Sequence, residues 1–172
     1  METIFTGRIF NVVKKFMTGR SGERLERYVV VHPGAVVVLP ILSDGRIVLI
    51  RQHRIAVEEE LIELPAGTVE AGEELVTTAR RELQEETGYW AEELVPALSF
   101  YTSPGFVRER IHLFKATKLT AGPTALEDGE TIETILVDLP QALKMIDSGE
   151  IRDAKTILGL LWYNQQGQAT QE

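Results

Sequence analysis

Residues 67–89 read Gly-Thr-Val-Glu-Ala-Gly-Glu-Glu-Leu-Val-Thr-Thr-Ala-Arg-Arg-Glu-Leu-Gln-Glu-Glu-Thr-Gly-Tyr, and this segment constrains the fold more than any other. Leu75, Ala79 and Leu83, with Val76 beside them, recur at helical spacing. Gly88 follows as a natural C-terminal cap. The spacing predicts a helix over residues 73–87, with Glu73 and Glu74 in its first turn, where the helix dipole favours anions. Glu82, Glu85 and Glu86 then share one face, being three and four positions apart. Three carboxylates on one face repel each other unless something neutralises them. A hard divalent cation does this well, because Mg²⁺ prefers carboxylate oxygens and keeps substrate phosphate as a further ligand. Arg81 can supply a partner charge, with Glu73 orienting it. The plain alternative is a solvated acidic face.

The remainder alternates between strand and turn signals. Strands are expected over residues 4–12, 27–31, 36–39, 46–51 and 61–64, separated by the 18–22 turn cluster, the His32-Pro33-Gly34 bend and the Asp44-Gly45 hairpin turn. After the helix, strands are expected over 94–101, 111–116 and 132–137, and helices over 141–146 and 154–163, with a polar, frayed tail from residue 164. Mixed strands with a central helix and terminal helices imply one α/β/α layered domain over all 172 residues.

Composition narrows the function classes. A formal net charge of −8 disfavours nucleic acid and anionic membrane as partners, since both demand basic neutralising groups. The absence of cysteine removes disulfides, thiolate zinc sites and a cysteine nucleophile. No signal-peptide pattern opens the chain, and the longest apolar stretch, 28–42, is broken by His32, Pro33 and Gly34. A cytoplasmic location is the default expectation.

The 67–89 segment resembles the Nudix box: glycine, five residues, Glu, seven residues, Arg-Glu, an aliphatic, any residue, Glu-Glu, any residue, glycine, then a bulky apolar residue. Gly67, Glu73, Arg81, Glu82, Leu83, Glu85, Glu86 and Gly88 fall on that pattern. At roughly 6% usage per residue type, the seven fixed positions would coincide on the order of once per million chains, so chance is set aside. Tyr89 stands where the family more often has an aliphatic residue. The resemblance implies a loop-helix-loop that binds Mg²⁺ or Mn²⁺ and activates water against a diphosphate. It implies Glu82 and Glu86 as principal metal ligands, Glu85 assisting both metal and catalysis, and the backbone carbonyl of Ala66 as a further ligand. It also implies a mixed central sheet in an α/β/α sandwich.

Further segments resemble the ADP-ribose pyrophosphatase branch of the family. They are Arg51-Gln52-His53-Arg54, Glu63-Leu64-Pro65-Ala66-Gly67, Ser103-Pro104-Gly105-Phe106 and Asp153-Ala154-Lys155-Thr156. That branch carries a proline sixteen positions after the last box glycine, here Pro104 after Gly88. The likeness runs over about residues 5–161. It implies that Arg54, with Arg51, contacts the diphosphate, although a plain surface-strand arginine is the alternative. Pro104, Gly105 and Phe106 would form part of the substrate loop. Glu109 would bind ribose hydroxyls or else be a simple loop acid, and Val107 and Arg108 replace the usual small or acidic residues before it. His32, in its bend, would lie near the base-binding site. For the catalytic base the branch implies a loop before a late strand, here 126–133. Asp128 or Glu127 would sit near the water and Glu130 would add a metal ligand, in a shorter-armed variant of Glu-Asp-Glu; the alternative is that these acids only solvate a turn. Phe10, Tyr28 and Phe106 are candidates to stack on adenine, while Trp90 and Trp162 are expected to pack.

The resemblance further implies a homodimer with an exchanged N-terminal antiparallel β region, about residues 1–34. The leading expectation is Mg²⁺-dependent hydrolysis of ADP-ribose to AMP and ribose 5-phosphate. GDP-mannose or another nucleotide sugar is the nearest rival substrate. A non-catalytic nucleotide sensor on the same fold is the rival of another class.

Overall fold

The computed structural model describes residues 1–126 and 131–169. Three antiparallel strands, β1 (Glu2–Thr6), β2 (Asn11–Thr18) and β3 (Arg24–Val31), open the chain. The single strand expected over 4–12 is thus two. The Gly7 N–H donates to the Phe10 carbonyl at 2.9 Å and turns the chain between them. The flanking apolar pairs Ile4-Phe5 and Ile9-Phe10 mask that turn in the sequence.

β4 (Ala35–Pro40) runs at the heart of the molecule, and its alternation decides the layering. Val36 and Val38 face one side, where they meet Ala79, Leu83 and Phe114. Val37 and Leu39 face the other, with Leu49, Leu64, Met145 and Leu160. This is the period-2 signature of a strand buried on both faces. Around it stand β5 (Ile47–Arg54), β6 (Glu59–Glu63), β7 (Ala66–Thr68), β8 (Tyr89–Tyr101), β9 (Val107–Arg108), β10 (Arg110–Ala121) and β11 (Ile132–Val137). One sheet has the order β7-β4-β10-β8 and is mixed, because β4 and β10 are parallel while the other pairs are antiparallel. A second, antiparallel sheet has the order β11-β5-β6. The two-residue β9 pairs in parallel with β3 and joins the N-terminal sheet. The mixed central layer is present as expected, divided into two adjoining sheets. β7 was not legible: three residues after a proline carry no strand pattern, and only pairing with β4 creates it.

Helix α1 (Leu75–Thr87) covers one face; α2 (Leu139–Asp147) and α3 (Ala154–Ala169) cover the other. α1 starts two residues later than expected. Glu74 is the N-cap and makes no side-chain cap bond, and Glu73 lies in the preceding turn, its N–H donating to the Glu70 carbonyl at 3.1 Å and its carboxylate engaged by Arg81. Gly88 closes α1 at φ 74°, its N–H donating to the Gln84 carbonyl at 2.8 Å. A Cβ there would lie 2.5 Å from the Gly122 carbonyl oxygen, so both backbone angle and space require glycine. α3 continues to Ala169 rather than fraying at 164, since the Gln and Ala of that stretch are good helix formers. Trp162 packs on the core as expected, whereas Trp90 is half exposed on the edge strand β8. Among the described residues, no helix is long and apolar enough to cross a membrane.

Candidate functional site

The acidic face of α1 is held by the apolar one. Ala79 and Leu83 are fully buried. Burying one leucine is worth roughly 2–3 kcal/mol, so this apolar face fixes the rotation of the helix about its axis. The acids are therefore carried against the loop that follows β6. Glu86, 5% exposed, accepts the Ala66 N–H at 2.9 Å. The Glu82 carboxylate fills the space where a side chain at position 67 would begin, since a Cβ on Gly67 would lie 1.9 Å from Glu82 Cδ. Two carboxylates thus converge on the backbone of Ala66 and Gly67. Arg81 sits beside them, 2.8 Å from Glu82, 3.0 Å from Glu85 and 3.2 Å from Glu73. Hydrogen bonding to Glu73 raises the Arg81 guanidinium above its ordinary value, and the same bond holds the Glu73 carboxyl below the usual range.

By donor chemistry these residues fit a hard divalent cation: carboxylate oxygens, converging on a loop with no side chain in the way. No group of three or more His, Asp or Glu donors is gathered around one point among the described residues. Arg81 instead lies between Glu82 and Glu85. A cation binding here would take over the neutralising role that Arg81 now fills for Glu82.

Behind the same loop lies a second charged cluster. Arg54, at the end of β5, donates through Nε and Nη2 to the two oxygens of Glu63, at 2.8 and 2.7 Å. Glu63 is 1% exposed and also receives the Lys155 ammonium. Lys155 reaches Asp153 at 3.0 Å. Asp153 caps α3, accepting the Thr156 N–H at 3.0 Å and its hydroxyl at 2.6 Å, while the Thr156 oxygen accepts the Leu64 N–H at 2.8 Å. Burial pushes the Glu63 carboxyl up, but the Arg54 fork and Lys155 outweigh it, and the group rests below its ordinary value of 4.5. The Arg54 guanidinium is correspondingly raised by its bond to Glu63.

A cavity of about 510 Å³ joins these parts. Ala66 and Gly67 form part of its wall, with Arg54, Lys155, His32 and Glu109 around it. Phe100, Tyr101, Ile111 and Leu158 add apolar surface. Its size and mixed lining suit a small polar molecule with an apolar part. Glu109 accepts the Thr102 hydroxyl at 2.8 Å and lies 3.3 Å from Nδ1 of His32. That nitrogen is also 3.1 Å from the Gly34 N–H.

The structure brings Arg54, Glu109, His32 and Ala66 to one cavity, with Glu82 and Glu86 against the loop that forms its wall. It does not bring Arg51 there; Arg51 lies on the opposite face of β5 and pairs with Glu133 at 3.3 Å. Pro104, Gly105 and Phe106 line a separate cleft of about 230 Å³ with Lys15 and Arg108. Phe10, Tyr28 and Phe106 are all largely exposed, and none lines the main cavity. Glu127, Asp128 and Glu130 lie outside the described residues. Sequence reasoning assigned no role to Glu63, Lys155, Asp153 or Thr102. For Glu63 a signal existed: a charged residue inside the apolar run Leu61-Ile62-Glu63-Leu64 is buried only when paired.

Comparison with known proteins gives a consistent answer. A family model described as the NUDIX domain matches residues 31–159. An ADP-ribose pyrophosphatase of Bacillus subtilis is 41% identical over 157 residues, covering 90% of this chain and 85% of that one. A methanol dehydrogenase activator of Bacillus methanolicus is 38% identical, with 96% and 90% covered. A GDP-mannose pyrophosphatase of Escherichia coli is 39% identical, with 87% and 83% covered. A crystal structure of an ADP compounds hydrolase superposes with a TM-score of 0.86 at 21% identity, over 98% of this chain and 92% of that one, a likeness of fold.

The depressed Glu63 carboxyl has a signed consequence. Because its folded value lies below 4.5, the stability it contributes is present above that pH and is lost as pH falls through the folded value. Urea unfolding of wild type and Glu63→Gln should therefore show a stability gap that is level above the ordinary value of 4.5 and narrows as the pH falls below it. A gap independent of pH would contradict the assignment.

Proposed function

Since the chain belongs to the NUDIX domain family, we propose that it hydrolyses the diphosphate bond of ADP-ribose, giving AMP and ribose 5-phosphate, with Mg²⁺ as its cation and Mn²⁺ as a substitute. The observation that carries the reading is the convergence of Glu82 and Glu86 on Ala66 and Gly67, in the wall of a cavity that also holds Arg54. Glu82 and Glu86 would hold the cation, with Glu85, Glu130 and the Ala66 carbonyl as further ligands. When bound, the cation neutralises diphosphate charge and acidifies water.

The chain's own groups supply the rest. Arg54 keeps N–H donors beyond those given to Glu63, and a guanidinium fork matches phosphate oxygens. Glu109, already a hydroxyl acceptor for Thr102, suits ribose hydroxyls. In the reaction a water oxygen bonds to one phosphorus as the bond from that phosphorus to the bridging oxygen breaks. Each product leaves as a phosphate monoester. Asp128 or Glu127 takes the water proton in this reading, and Glu85 assists. The chain acts as one unit, as a homodimer that exchanges its N-terminal strands. Exposed Phe5, Phe10, Phe16 and Tyr28 in that region support the dimer, since apolar surface of this kind favours burial. Pro104, Gly105 and Phe106 would then complete the substrate contacts from outside the single-chain cavity.

The GDP-mannose pyrophosphatase relative favours a second reading, in which a nucleotide sugar is cut by the same groups. Steady-state assays with ADP-ribose, GDP-mannose, NADH and dinucleoside polyphosphates separate the two. ADP-ribose should lead in kcat/KM by about tenfold or more. A lead for GDP-mannose installs the second reading, and binding without turnover of any of them ends the hydrolase reading.

Glu86→Gln should keep the fold, because an amide oxygen still accepts the Ala66 N–H. Its kcat should fall about a hundredfold or more as a ligand charge is lost. Circular dichroism and kcat at saturating Mg²⁺ check this, and near-normal turnover would remove Glu86 from the metal set.

A further inference from the structure

Two motifs remain without a role: the glutamate that opens Glu63-Leu64-Pro65-Ala66-Gly67, and Asp153-Ala154-Lys155-Thr156. The structure joins them across 92 residues of chain. We propose that Glu63 is a positioning residue that clamps Arg54 and Lys155 together at the cavity, making a two-cation cradle for the diphosphate. The proposal rests on the substrate class given above.

Sealing a carboxylate costs several kcal/mol unless close cations repay it, and Glu63 is 1% exposed. Here two do: the Arg54 fork occupies both oxygens, and Lys155 shares Oε2. Yet both cations are only partly spent. Three of the guanidinium's five N–H donors and one of the ammonium's three have no partner among the described residues. Both side chains line the cavity, whereas Glu63 does not. The carboxylate is hidden and its cations are presented.

The placement of Lys155 is also fixed. Asp153 caps the helix and holds both Lys155 and Thr156, and the Thr156 oxygen receives the N–H of Leu64, the residue after Glu63. Strand β6 therefore grips the first turn of α3 at consecutive residues, by side chain and then by backbone. With Asp153 and Glu63 against Arg54 and Lys155 the cluster is formally neutral, so the cradle stays assembled before an anion arrives. Guanidinium and ammonium groups held in advance lose little freedom when the diphosphate binds.

A purely structural tie between β6 and α3 would not touch ligand affinity, and this separates the two roles. Calorimetry with inorganic pyrophosphate in the presence of chelator reads the cradle without the metal and without turnover. Wild type should bind, and Glu63→Gln should bind about tenfold more weakly or worse. With ADP-ribose and Mg²⁺, KM should rise by a similar factor while kcat stays within about threefold. In an Arg54→Ala/Lys155→Met background, adding Glu63→Gln should change pyrophosphate affinity no further, because the residue acts through those two. Should Glu63→Gln fail to fold, Lys155→Met alone decides: it keeps the Arg54 fork and should still weaken pyrophosphate about tenfold.

Unchanged pyrophosphate affinity in either variant overturns the proposal, as does a wild type that does not bind pyrophosphate. A wild type that binds pyrophosphate through these residues but hydrolyses no ADP-ribose defeats the substrate reading and leaves the cradle standing.

Discussion

The arrangement depends on one close approach, that of the acidic face of α1 to the backbone of Ala66 and Gly67. A side chain on residue 67 would displace the Glu82 carboxylate, which lies where its Cβ would be. One turn further on, the Glu86 carboxylate is held by the Ala66 N–H. The approach is enforced from the far side of the helix. Ala79 and Leu83 are buried against β4 and β10 with Val36, Val38 and Phe114, and β7, which carries Ala66 and Gly67, pairs with β4 at Val37 and Val36. Apolar burial thus supplies the force, and the backbone geometry of two residues supplies the position.

Much of this was legible in the sequence because it is local. The periodicity of 75–83, the i, i+3, i+4 relation of the glutamates and the left-handed cap at Gly88 all follow from helix geometry, and the structure has each of them. Arg81 pairs with Glu73, which was expected to orient it, and also with Glu85. What failed was non-local or masked. The N-terminal turn hid between the apolar pairs Ile4-Phe5 and Ile9-Phe10, and β7 exists only through its partner. The Glu63 cluster links residues 92 apart, which no window along the chain can see, although the anomaly of a glutamate in an apolar strand was there to be noticed. Arg51 illustrates the opposite error. It sits three residues from Arg54 in one motif, but strand alternation sends it to the other face.

The division of charge is the feature that fits the proposed chemistry. Carboxylates gather on α1 and cations on β5 and the start of α3, with the 66–67 loop between them. A bridging diphosphate has negative oxygens on both phosphoryl groups, so one end can share a cation with the acids while the other meets Arg54. An overall charge of −8 does not oppose this, because the local field at the cavity is set by the groups that line it.

The central claim is that Glu82 and Glu86 jointly hold a divalent cation beside the Ala66–Gly67 loop. Anomalous diffraction from crystals saturated with Mn²⁺ and a non-hydrolysable ADP-ribose analogue tests it directly. A manganese peak is expected within about 2.5 Å of carboxylate oxygens from both residues, with a phosphate oxygen as a further ligand. Saturated crystals with no peak at that position, or with manganese only elsewhere, would contradict it.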